Sequence, residues 1–303
     1  MTDLPAKVLL SGASGLIGAN VIRALAANRI QTLQLVRKPT GEPGQIVWDP
    51  KASPPVTDPH RLEGLDAAIH LSGANISTHR WTESYKREIV ASRVETTRAI
   101  TRLFASLKSP PKTFLCASAT GIYGDRGDEL LTEGSAHGRG FLAGTCLAWE
   151  AAADSGRDAG ARVIQLRFGV VLAAEAGALK RMLPLFRLGM GGRLGSGRQW
   201  MDWIAMPDAI QAILFVLGER TLDGPVNLVA PHPVTNRDFT LALGRAVHRP
   251  ALFPVPAFAL RLAIGEMADD ALLASVRAVP KQLSDSGFEF RYPDIGSALR
   301  ALL

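Results

Sequence analysis

The chain has 303 residues, 47% hydrophobic and 20% charged, the composition of a globular protein larger than one average domain. Lys and Arg outnumber Asp and Glu by 34 to 28, but the cations are scattered, which speaks against a nucleic-acid-binding tail and for a solvated surface or an anion pocket. Two cysteines, six dispersed histidines and no apolar run of membrane-spanning length argue against a disulfide framework, a metal site and a transmembrane segment.

Met1 to Pro5 shows no signal-peptide pattern, so the expected address is the cytoplasm, with neither membrane nor nucleic acid as partner. The first expected element is a strand, Val8–Ser11. It ends at Gly12-Ala13-Ser14-Gly15-Leu16-Ile17-Gly18, and a helix over 16–28 follows at once. Glycines at this spacing let the backbone turn tightly and approach a pyrophosphate, whose charge rests on free N–H groups at the positive helix end. The placement after a strand and before a helix makes Gly12, Ser14, Gly15, Leu16, Ile17 and Gly18 the expected dinucleotide contacts.

The second expected strand, Thr32–Val36, ends where an acid would hold a ribose 2′-hydroxyl. Arg37 and Lys38 stand there instead. Two cations and no carboxylate favour a 2′-phosphate, so NADP(H) is expected rather than NAD(H), with Val36, Arg37 and Lys38 at the adenosine end. Residues 39–64 hold six prolines and read as an irregular excursion, with an edge strand at Ile46–Trp48.

Strands at Ala67–Leu71, Thr113–Ala117 and Arg162–Leu166 then alternate with helices over 82–107 and 142–159, the first opened by Thr82. The pattern predicts an α/β fold, a Rossmann-like doubly wound parallel sheet, with a smaller C-terminal substrate lobe. The expected division is 1–172 and 173–303, with 208–225 packing back onto the first part. Beyond residue 170 the reading is a glycine-rich loop over 189–197, a helix over 209–218 and a strand at Val226–Val229. Thr235 or Asn236 then caps a helix, and further helices lie near 257–264, 268–277 and Ile295–Leu302.

Further segments carry a resemblance. They are His70-Leu71-Ser72-Gly73, Arg80-Trp81-Thr82, Ser92-Arg93, Ser118 with Tyr123-Gly124-Asp125, Trp149-Glu150, Gly195-Ser196-Gly197-Arg198-Gln199-Trp200 and the tail Gly287-Phe288 to Tyr292-Pro293. With the glycine turn they resemble the atypical "epimerase family protein" subgroup of the extended short-chain dehydrogenase/reductases, which is nucleoside-diphosphate-sugar epimerase-like and has a family-specific C-terminal segment. The resemblance implies an NADP(H)-binding core in which Leu71, Ser72 and Gly73 lie near the adenine and ribose. It places Glu88 and Arg93 on the long helix, Arg93 where relatives put a cofactor-contacting Asn, and Val171 beside the nicotinamide. It also allows a homodimer through the helices over 82–107 and 142–159.

The family's Tyr and Lys, spaced YxxxK, are absent. The residues four beyond Tyr85, Tyr123 and Tyr292 are Ile89, Gly127 and Gly296. Aligned on Glu150, the Tyr place falls on Leu142 and the Lys place on Cys146; shifting by one gives Phe141 and Thr145. Two readings stay open. One is an oxidoreductase or epimerase-type enzyme with relocated chemistry, whose candidate donors are Tyr123 and Ser118, with Thr120, Asp125, Glu129 and Glu133 nearby. The other is an NADP(H)-binding sensor with little or no catalysis. Arg198 and Trp203 are the expected contacts to a small-molecule substrate, as an anion fork and a stacking face. Asp202 and Asp208 are expected in turn and cap roles.

Overall fold

The computed structural model describes residues 4–303; residues 1–3, at the head of the segment expected to lead into the first strand, lie outside the described residues. Seven strands form the main sheet: β1 (Lys7–Ser11), β2 (Gln31–Val36), β3 (Gln45–Val47), β4 (Ala67–His70), β5 (Thr113–Ala119), β6 (Arg162–Phe168) and β7 (Gly224–Leu228). Every pairing is parallel, in the order β3-β2-β1-β4-β5-β6-β7. The order reverses between β1 and β4, and ligands of such sheets sit outside the strand carboxyl ends at that point.

Strands covered on both faces read as continuous apolar runs. All four residues of β4 are buried, as are Val8, Leu9 and Leu10 of β1. The helices are α1 (Leu16–Ala27), α2 (Glu83–Ala105), α3 (Phe141–Asp154), α4 (Gly177–Arg187), α5 (Met206–Gly218), α6 (Asn236–Ala246), α7 (Ala257–Ile264), α8 (Lys281–Asp285) and α9 (Ile295–Leu302). α1 packs against α5, and α2 against α3. Right-handed crossovers on either side of the reversal put these pairs on opposite faces. Among the described residues no helix is long and apolar enough to cross a membrane.

A second apolar cluster joins Leu179, Leu183 and Phe186 of α4 to Phe239 and Leu243 of α6 and Leu299 of α9. Asp208, in the first turn of α5, accepts the Arg291 and Tyr292 amides at 3.0 and 2.9 Å and so ties the tail to the first core. Three expectations shift. The strand at Val226–Val229 is β7, within the main sheet. The helix over 142–159 ends at Asp154 and continues as a tighter turn to Ala159. Residues 268–277 form a π-helical turn, Ala268–Leu273, and then the short strand Arg277–Ala278, paired with Leu130–Leu131.

Candidate functional site

At the end of β1 the chain turns through Gly12, at φ +78°. A Cβ there would meet the Leu71 carbonyl at 2.7 Å, and one on Gly18 would lie 2.1 Å from the Gly12 oxygen. Only glycine lets the turn, the end of β4 and the first turn of α1 approach this closely. Gly15 precedes α1 without a side-chain cap, leaving the first amides of the helix for a ligand. Ser14 is exposed, and Leu16 and Ile17 are half-buried beside it. The cradle fits a pyrophosphate, because the amides at the start of α1 have no side-chain cap and can donate to it.

Beneath it, Ser11 Oγ and His70 Nδ1 lie 2.5 Å apart, and Thr96 Oγ1 lies 3.3 Å from His70 Nε2. Burial drives His70 down to about 3, so it is a neutral tie between β1, β4 and α2. At the end of β2, Val36 is half-buried, while Arg37 and Lys38 are exposed without an acidic partner among the described residues.

At the end of β4, Leu71 and Ser72 are half-buried and Gly73 is exposed. The Ala74 amide donates to Ser92 Oγ at 2.9 Å, fixing this segment to α2. Arg93 lies against it: a Cβ on Gly73 would be 3.3 Å from the guanidinium carbon. The guanidinium donates to the Ile89 carbonyl at 3.1 Å and stands 5.1 Å from the centre of the Trp149 ring. Burial lowers its pKa, and no carboxylate faces it among the described residues. A mostly desolvated cation without a carboxylate is poised for an anion or a hydroxyl. Glu88 is not brought there. Five residues along a helix is about 140° of rotation, and Glu88 is exposed on another face.

The donor candidates are placed differently from expectation. Tyr123 is fully buried; its hydroxyl donates to Asn227 Oδ1 at 2.8 Å and accepts from Arg167 Nη1 at 3.0 Å. Ser118 Oγ, also buried, donates to Glu150 Oε1 at 2.6 Å. Arg167 closes the network with two 2.8 Å bonds to Glu150. Glu133 accepts the amides of Asn227 and Gln282, both at 3.1 Å. Burial raises Tyr123, opposed by the Arg167 charge. The catalytic expectation for Tyr123 and Ser118 is therefore corrected: both are interior ties among β5, α3, β6, β7 and the tail. Asp125 accepts the Gly127 and Ser275 amides, and Glu129 pairs with Arg126 at 2.6 Å.

Trp203 is corrected too. It is fully buried in the second cluster, with its ring N–H on the His232 carbonyl at 3.1 Å. Arg198 is exposed, with no side-chain partner among the described residues. Val171 is half-buried and pairs with Ile204 in a short parallel ladder.

Two acids missed by sequence reasoning lie near the strand ends. Asp202, expected in a turn role, is a buried carboxyl raised to about 7 by desolvation, opposed by the Thr120 hydroxyl. Its Oδ2 has no hydrogen-bond partner among the described residues. Asp270, on the π-helical turn, accepts the Leu142 amide at 3.2 Å at the start of α3, which has no side-chain cap of its own. It lines a cavity of about 280 Å3 with Gly121, Gly124, Leu142, Arg139 and Arg261. Its only sequence signal is an acid in an apolar tail more than a hundred residues from its partner. Cys146 is buried and pushed up to about 12, so it is no nucleophile.

The model of the NAD dependent epimerase/dehydratase family matches residues 8–228, and a domain of unknown function matches 255–302. An epimerase family protein of Mycobacterium bovis is 42% identical over 294 residues, covering 97% of this chain and 96% of the relative. Epimerase family protein YfhF of Bacillus subtilis is 35% identical over 98% of both chains. The crystal structure of human epimerase family protein SDR39U1 with NADPH superposes at a TM-score of 0.89, with 32% identity and 98% of each chain covered.

Proposed function

The chain belongs to the NAD dependent epimerase/dehydratase family, and from that we propose that it is an NADP(H)-dependent oxidoreductase or epimerase-type enzyme acting on a small molecule held beside Gly121. The observation that carries the cofactor choice is the end of β2, where Arg37 and Lys38 stand exposed, without an acidic partner among the described residues, and no carboxylate follows the strand to bind a ribose diol. The NADPH in the human relative's structure supports the same choice.

With its pyrophosphate in the glycine cradle, the cofactor would give or take a hydride at its nicotinamide. The chain's own residues do the rest. Amides at the start of α1 hold the pyrophosphate, and Arg37 and Lys38 hold the 2′-phosphate. Arg93 reaches from α2 toward the space that the family's Lys fills from α3, and fixes the ribose there. Leu142 stands at the Tyr place without a hydroxyl. The ionisable group nearest its amide is Asp270, whose carboxyl takes up or delivers the substrate proton in the cavity.

The test is turnover of NADPH or NADP+ with a panel of small carbonyls and sugar nucleotides. Asp270→Asn is expected to lower kcat about a hundredfold while NADPH affinity stays within about threefold. An unchanged kcat removes Asp270 from the reaction. The burial of Tyr123 and Ser118 favours a second reading, a cofactor-binding sensor. Tight NADPH binding without turnover of any panel member supports that reading.

A further inference from the structure

α7 has the sequence Ala-Phe-Ala-Leu-Arg-Leu-Ala-Ile, yet none of its residues is buried. An apolar helix ordinarily hides one stripe, but Phe258 and Leu262, one turn apart, are 71% and 77% exposed. The chain leading into α7 runs beside the loop after α4. The Phe253 amide donates to the Gly191 carbonyl at 3.1 Å and the Val255 amide to the Arg193 carbonyl at 2.8 Å. Leu252 and Phe253 are thereby set beside Leu188 and Met190, all four more than half exposed. Six large apolar side chains from three adjacent segments make a patch that calls for a partner.

The charge around it is one-sided. Segments 176–198 and 239–265, which build the patch, contain eight Lys and Arg and no Asp or Glu. All eight cations are exposed, and one of them, Arg261, is paired with Asp269 at 2.9 Å. They exceed the chain's net charge of +6, so the rest of the molecule is slightly acidic. Arg187, Arg193, Arg245 and Arg249 face no carboxylate among the described residues.

We propose that this face docks peripherally on a bilayer rich in anionic lipid, with Phe253, Phe258 and Leu262 at headgroup depth and the arginines on the phosphates. A second copy brought face to face would set Arg187, Arg193, Arg245 and Arg249 against the same four cations, whereas an anionic bilayer offers apolar depth and negative charge together. The expectation of no membrane partner rests on the lack of a spanning segment, which a peripheral contact does not need.

The experiment is co-sedimentation of the full chain with vesicles of phosphatidylcholine alone and of equimolar phosphatidylcholine and phosphatidylglycerol. Binding is expected to the mixed vesicles only, and to weaken as salt rises. Phe258→Ser with Leu262→Ser should cut partitioning about tenfold or more, as should Arg187→Glu with Arg249→Glu, with melting temperatures unchanged. Equal binding to both vesicles, no binding to either, or full binding by the variants overturns the proposal. So does a dimer that the Ser variant dissociates, or an acidic protein that binds the patch while anionic vesicles do not.

Discussion

The Tyr123 hydroxyl has two partners, and both are interior: Asn227 Oδ1 and the Arg167 guanidinium. Replacing Tyr123 with Phe leaves Asn227 short of a donor in a buried site, so the variant should lose about 1–3 kcal/mol of stability. In chemical denaturation the midpoint should fall, while kcat/KM stays within about twofold of the parent. A drop of about a hundredfold would return Tyr123 to the chemistry. Asp202 gives a pH test. Its ordinary value is 3.8 and burial raises it to about 7, so the folded state keeps a proton that the unfolded state has lost. Stability therefore falls as pH rises from 3.8 toward 7, by up to about 1.4 kcal/mol per pH unit. Asp202→Asn should remove that slope, gaining on the parent above pH 7 and gaining nothing below 3.8. Parallel stability curves for the two proteins would rule this out.

The α2–α3 pair carries the departure from the usual family site. Aligned on Glu150, α3 carries Leu142 and Cys146 at the places the resemblance gives to a Tyr and a Lys, and α2 sets the Arg93 guanidinium 5.1 Å from the Trp149 ring. Burial already disfavours the charge on Arg93, so Arg93→Gln should leave the melting temperature of the free protein unchanged or higher. The same change should weaken NADPH about tenfold or more, the worth of one charge-assisted hydrogen bond. A loss of stability with unchanged affinity would make Arg93 a packing residue. The main strands and α1, α2 and α3 are legible in the sequence, because their apolar spacing and the Thr82 cap, which accepts the Tyr85 amide, are local signals. α4 was not among the expected elements: Pro184 lies inside it, and Pro argues against a helix interior. The π-helical turn that carries Asp270 has no pattern of its own period.

Across the whole molecule, the doubly wound parallel sheet and the glycine turn were readable, since strand–helix alternation is a local signal, whereas the place of β7 in that sheet, beside β6 and some sixty residues beyond it, was not. The Ser118–Glu150–Arg167–Tyr123–Asn227 network was not. Its bonds join residues up to 104 apart, and a Tyr beside a Gly reads the same whether it faces a substrate or the core. The cavity was equally hidden, because it takes Gly121 and Leu142 from one half of the chain and Arg261 and Asp270 from the other. Two features expected at the strand ends are present in the structure, a turn after β1 that admits only glycine and an exposed Arg37-Lys38 pair beyond β2. The most direct test is calorimetric titration of the parent and Arg37→Asp with NADPH and with NADH. The parent should prefer NADPH, and the variant should lose about thirtyfold or more toward NADPH while changing less than about threefold toward NADH. Equal losses for both cofactors, or a parent that prefers NADH, would contradict the account.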